Sequence, residues 1–180
     1  MLFRSEAPAL RPADPVARAR MRWWNKFVDE HVMNFVSMHG WHRMVGVIAR
    51  SIEGEEFEQL MARIPLKEQR DKWRTARSGF SAENLAEAER KVAVAVAKVE
   101  AQLSKTPWLA GEQFTLADIN FFSHCGMMLA RMFPQLAAPE NCPHLLAWAE
   151  RMRQRPGVAR ALAGEDRTDP RLRTFTGEVK

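Results

Sequence analysis

The sequence predicts an all-α protein, a single bundle of helices with no sheet. Three observations carry that prediction. Apolar residues recur three and four apart, no run alternates apolar and polar residues as a half-buried strand does, and glycine and proline punctuate the runs at their joints. The one stretch that resembles a strand is VAVAV at 92–96. It is flanked by AENLAEAERK and KVEAQL, strong helix formers, so propensity over the whole window favours helix.

Residues 1–13, with Pro8 and Pro12, read as a linker-like N-terminal segment. Asp14 is placed to cap a helix and Pro15 to occupy its first turn, where its missing N–H is harmless. Val16, Ala19, Trp23, Phe27, Val32 and Phe35 then recur at near-helical spacing to about His39, and Gly40 is expected to stop the helix. Shorter helices are expected over 41–51, over 55–63 before Pro65, and over the charged run 66–77 before Gly79. Ser81 is placed to cap a long helix to about Ser104, with Val92, Val96, Val99 and Leu103 along one side. TPWLAG reads as a turn. A helix to about Phe133, a loop over 134–141, a helix opened by Pro143 and a last one opened by Pro156 complete a helical domain over 14–163. Residues 164–180 read as a polar tail.

A chain of 180 residues is long enough for one domain with its own core. No apolar run is long enough to span a membrane, and the start MLFRSEAPALRP lacks the apolar core and cleavage site of a signal peptide. The net charge of +5 comes from basic residues interleaved with acidic ones, which argues for a solvated surface rather than a nucleic-acid footprint. Cys125 and Cys142 make no disulfide framework and fit a reducing, cytoplasmic compartment. Cys142 precedes Pro143 at a helix start, where a thiolate would be favoured, although packing is the simpler role. Ten Met and six Trp with no Tyr suit a core and also a ligand pocket.

GEQFTLADIN at 111–120 holds the strongest local signal. Thr115 followed three residues later by Asp118 makes a capping box with Asp in place of the commoner Glu. Phe114 and Ile119 flank it as a hydrophobic staple, and the Asp118 charge sits at the positive end of the helix dipole. Both carboxylate oxygens have local structural work, so no catalytic role is assigned to Asp118.

The box is followed by CPHLLAWAERMRQRPGVARAL. Leu109, Gly111, Thr115, Asp118 and Ile119, then Pro143, Leu145, Trp148, Arg155 and Pro156, resemble the C-terminal helical domain of glutathione S-transferases. The resemblance covers roughly residues 7–163 and implies a glutathione S-transferase C-terminal-like helical bundle. MRWWNKFVDEHV, GWHRMVGVIARS and the segment over 57–80 resemble more narrowly the bacterial beta-etherase branch, whose members cleave lignin-derived beta-aryl ethers with glutathione. In that superfamily a thioredoxin-like N-terminal domain binds glutathione and activates its thiol. Nothing in this chain resembles that domain, so the resemblance implies no catalytic residue here and little transferase activity for the chain alone.

What the resemblance does imply is the half-site for a small hydrophobic electrophile, between such a domain and the first helices. Its candidates are Trp24, Asn25, Val28, His31, Val32, Trp41 and His42. Trp24, Val28 and Val32 fit core or a dimer face equally by spacing. His31 and His42 fit exposed polar positions, and neither has partners at metal-ligand spacing, so no metal site is assigned. The implied partners are a second copy of the chain or a thioredoxin-like domain. The rival reading is a non-catalytic interaction module of the same helical type.

Overall fold

Asp14 begins the first helix by accepting from the Ala17 N–H at 2.7 Å, with Pro15 in the first turn. The computed structural model describes residues 9–126 and 128–163; the expected N-terminal segment lies there only in part, and the expected tail over 164–180 lies outside the described residues. Helix α1 (Pro15–Phe27) passes into a π-helical turn, π1 (Val28–Val32), then α2 (Met33–Gly40), a second, π2 (Trp41–Val45), and α3 (Gly46–Ser51). Every junction keeps right-handed helical dihedrals, so these pieces form one rod of about 55 Å at about 1.5 Å per residue. It ends at Ile52, which is extended.

The expected stop at Gly40 does not occur. Gly40 has φ −60° and ψ −46° and the helix runs through it. Its small size serves a close approach instead: a Cβ there would lie 3.2 Å from the Met128 Cε.

Helices α4 (Gly54–Ala62) and α5 (Lys67–Ser78) form a hairpin beside α3 with its own small core of Ala49, Phe57 and Met61, backed by Trp73. Arg77 holds it down. Its guanidinium lies 4.5 Å from the Phe57 ring centroid and donates to the Ala49 and Ile52 carbonyls, the latter at 2.8 Å, where α3 has run out of partners of its own. Gly79, with φ +92°, then turns the chain.

Ser81 caps α6 (Ala82–Leu103) by accepting from the Asn84 N–H at 3.1 Å. Val92, Val96, Val99 and Leu103 of α6 lie on one buried side as their spacing predicts, and VAVAV is helix. They pack against Val28, Val32 and Val36 of the rod and against Phe121, Phe122 and Trp148 in the main core. Each such fully buried apolar side chain is worth about 1.5–3 kcal/mol. The rest of the bundle is α7 (Leu116–Phe121), a third π-helical turn π3 (Phe122–Gly126), α8 (Met128–Met132), α9 (Pro143–Arg153) and α10 (Pro156–Ala163). Among the described residues there is no strand. A lone bridge between Trp108 and Gly111 closes the TPWLAG turn, with Gly111 at φ +133°.

Candidate functional site

Thr115 and Asp118 form a reciprocal capping box at the start of α7. The Thr115 hydroxyl accepts from the Ala117 N–H at 3.2 Å, and Asp118 Oδ2 accepts from the Thr115 N–H at 2.9 Å and from its hydroxyl at 3.2 Å. Oδ1 reaches beyond the helix. It accepts from the Leu109 N–H and from the Trp148 indole N–H, each at 3.0 Å. One carboxylate, fully buried, thus ties the TPWLAG turn, α7 and α9 together. Burial pushes its pKa above the ordinary carboxylate range, while the hydrogen bonds from Leu109, Thr115 and Trp148 pull the other way. Every oxygen is committed to structure and none is free for chemistry.

An open groove of about 290 Å³ is lined by α2 and π2 on one side and by π3 and Met128 of α8 on the other. Trp41 and Met44 come from π2, Ser123 and His124 from π3, and Met33 and Met128 complete the walls. A π-helical turn widens the backbone locally, and such turns recur at functional sites. Trp41 is held from behind by Trp73 of the hairpin, edge to face at 5.6 Å. The His124 Nδ1 stands 2.9 Å from the Asn120 carbonyl oxygen.

The seven sequence candidates do not converge on this groove. Trp41 lines it. Trp24, Val28 and Val32 are buried in the main core, so their side chains present no open wall. Asn25 is half-buried and ties α1 to α7, its Oδ1 lying 3.3 Å from Asn120 Nδ2, which also donates to Asp29 at 3.0 Å. His31 is exposed beside the Phe27 ring. His42 accepts from the Phe80 N–H at 3.5 Å and stands edge to face with that ring. The groove residues that sequence reasoning missed are Met33, Met44, Ser123, His124 and Met128. The abundance of Met was the only signal for them.

A second groove, about 560 Å³, lies beneath α10. Leu10, Phe114, Ile119, Phe122 and Leu162 line it, with the Arg155 guanidinium 3.5 Å from the Phe114 ring centroid. Leu10, Ile119 and Leu162 remain substantially exposed. Neither groove fits glutathione. The tripeptide carries two carboxylates and an ammonium, and these linings offer one guanidinium in one groove and one imidazole in the other.

Burial works against a thiolate at both cysteines. Burial raises Cys125 to about 12. Cys142 is also raised, by burial first and by Glu100 and Glu140 after it, and its thiol donates to the Ala138 carbonyl at 3.5 Å without capping α9. Among the described residues no three His, Cys, Asp or Glu side chains stand close enough to hold a metal ion. No helix among them is long and apolar enough to cross a membrane.

An all-α bundle pinned on a buried capping-box carboxylate, with an apolar groove lined in part by two π-helical turns, defines the class of protein as a helical domain. The chain belongs to the glutathione S-transferase C-terminal domain family, which matches residues 60–156. It is 40% identical over 171 residues to Protein LigF of Sphingobium sp. strain SYK-6, covering 93% of this chain and 66% of that protein. It is 26% identical to "Probable glutathione S-transferase parC" of Nicotiana tabacum, covering 89% of this chain and 56% of that one. The chain therefore spans between about half and two thirds of these relatives' lengths. Among solved structures, the crystal structure of beta-etherase LigF superimposes with a TM-score of 0.82 over 87% of this chain and 66% of that chain. Apo glutathione S-transferase III, at 24% identity and a TM-score of 0.59, shares the fold.

Proposed function

We propose that this chain supplies the hydrophobic-substrate half of a beta-etherase-like, glutathione-dependent transferase, with the groove between π2 and π3 as its half-site for an aryl ether or similar electrophile. The observation that carries this reading is the groove itself: Trp41, Met33, Met44 and Met128 make an adaptable apolar wall with a few polar groups, the composition of a small-molecule site. Similarity to the beta-etherase LigF supports the substrate class. In this reading glutathione is held by a thioredoxin-like domain and not by the grooves described.

Methionine methyl groups provide the test. In a chain carrying ¹³C-methyl methionine, 2-phenoxyacetophenone should shift the Met33, Met44 and Met128 resonances and leave Met152, at the groove beneath α10, in place. Shifts confined to Met152 would sink the half-site reading.

A second surface has its own observation. The groove beneath α10 joins exposed Leu10, Ile119 and Leu162 into an apolar patch that a lone soluble chain ordinarily covers. We read it as the seat of a thioredoxin-like domain. The exposed Trp23, stacked on Phe27 at 5.2 Å beneath the Lys98 ammonium, with exposed Val94 one turn away on α6, is read as the face for a second copy of the chain. The cytoplasm is the compartment that suits this reading. The non-catalytic interaction module remains the rival: protein capture by the α10 groove with no ligand response at the methionines would favour it.

A further inference from the structure

The main core draws no side chain from residues 41–80. The α4–α5 hairpin is built instead around the small core of Ala49, Phe57 and Met61, with Ile52, Leu60, Ile64 and Trp73 packed against it. Among the described residues, every hydrogen bond and aromatic contact that links 53–80 to the rest of the chain ends on one stretch of the rod, 41–52. Arg77 donates to the Ala49 and Ile52 carbonyls, and Arg50 donates back to the Ala76 carbonyl at 3.2 Å. The Phe80 N–H reaches the His42 Nδ1 at 3.5 Å, and Trp73 meets Trp41 edge to face. A unit with so small a core and one neighbour opens at a lower free energy than the helices of the main core.

We propose that the α4–α5 hairpin is a separately opening brace for the methionine-lined groove, and that Trp73 is the positioning residue through which it acts. The proposal rests on the reading of that groove as a small-molecule half-site. Trp73 is not part of the groove wall, but Trp41 is. Trp41 thus belongs to both surfaces: it lines the groove, and its ring centroid lies 5.6 Å from that of Trp73 at an interplanar angle of 84°. With the hairpin docked, the Trp41 ring is already ordered when a ligand arrives. With the hairpin open, the ligand must order that ring itself, and binds more weakly. The coupling is reciprocal. A ligand that prefers the docked hairpin by some factor must favour docking by the same factor.

Hydrogen exchange read by mass spectrometry tests this on the full 180-residue chain, with and without saturating 2-phenoxyacetophenone. In the free chain the amides of α4 and α5 should exchange before those of α6. The ligand should slow exchange in α5 by about 5-fold, the worth of one aromatic pair. Trp73→Leu should weaken the ligand by the same factor at the Met33, Met44 and Met128 methyls and abolish its effect on α5, and Trp73→Phe should restore most of both. Methionine shifts with exchange in α5 unchanged overturn the brace and leave the half-site standing. Exchange of α4 and α5 in step with α6 overturns it as well, as does undiminished affinity in Trp73→Leu. No response at the three methyls sinks the half-site and the brace together. The comparison on the unmodified chain decides even if Trp73→Leu fails to fold.

Discussion

Asp118 gathers three backbone or indole N–H groups and a hydroxyl onto one buried carboxylate. In Asp118→Ala the Leu109, Thr115 and Trp148 N–H groups lose their acceptor in a place water does not reach. Each orphaned donor carries a penalty of about 1–3 kcal/mol, and because they share one cavity the total should be about 3–5 kcal/mol, well above the ~1 kcal/mol of an exposed cap. Urea unfolding measures it; a loss near 1 kcal/mol would mean that the hub is an ordinary cap. Half of this hub is legible in the sequence, because Thr115 and Asp118 are three residues apart. The bonds to Leu109 and Trp148 are not, since no local pattern says which acceptor a buried indole finds. His39 is a second residue whose role appears only in the fold. It is buried beside Phe133, with Nε2 3.1 Å from the Leu85 carbonyl, and burial lowers its pKa below the ordinary histidine value. The unfolded chain therefore takes up this proton first as pH falls. The stability that neutral His39 contributes is fully present above about pH 6.5 and is lost as pH drops through the lower folded value. Melting temperatures between pH 7.5 and 5 should fall, and fall less in His39→Gln, which keeps a donor toward Leu85; parallel curves would remove His39 as the cause.

The rod from α1 to α3 shows what helical periodicity can and cannot reveal. Apolar spacing and the Asp14–Pro15 start predict its beginning, and Val92, Val96, Val99 and Leu103 predict the buried side of α6. The π-helical turns leave no such trace. Each adds a residue to one turn and shifts the helical faces after it, and the residues that do this, VDEHV, WHRMV and FSHCG, share no composition that marks them. Five of the groove's ten lining residues come from two of these turns, so that part of it left no trace in the periodicity. Glycine misleads in the same way. At Gly40 the rule that glycine ends helices gives way to packing, and Gly46, inside the helix expected over 41–51, is likewise a packing glycine. A Cβ at Gly46 would lie 2.7 Å from the Ala76 carbonyl oxygen of α5 and 3.3 Å from the Trp41 carbonyl oxygen. Alanine improves an exposed helix interior by about 1 kcal/mol over glycine. Here the obstacle is backbone of a neighbouring helix, which cannot swing aside, so Gly46→Ala should instead lose about 1–3 kcal/mol. It should also loosen the α4–α5 hairpin, read as faster amide exchange in α5. A stabilised Gly46→Ala protein would show that α3 and α5 are not in close contact.

At the scale of the molecule, the proposed reading assigns three apolar surfaces to three different partners. The groove between π2 and π3 is small and carries polar groups, as a ligand site does. The α10 groove is larger, with a single cation already stacked on Phe114, and suits another folded surface. The outer face of α1 and α6 carries the Trp23 and Phe27 rings, nearly parallel at 7° beneath Lys98. An exposed aromatic pair of this kind suits a copy of itself. A two-fold axis lays an aromatic pair on an aromatic pair, each burying area without a cavity to fill. Trp23 is 49% exposed and Val94 64% exposed, so both have area to give. Their substitution is also safe for the fold, because neither belongs to the main core. Sedimentation equilibrium should therefore report a dimer for the chain and a monomer for the Trp23→Asp, Val94→Asp double variant, with helical content unchanged by circular dichroism. Binding at the methionine groove, on the opposite reach of the rod, should survive in that monomer. If the double variant still dimerises, the α10 groove becomes the self-association surface, and Leu162→Asp should then be the change that separates the copies.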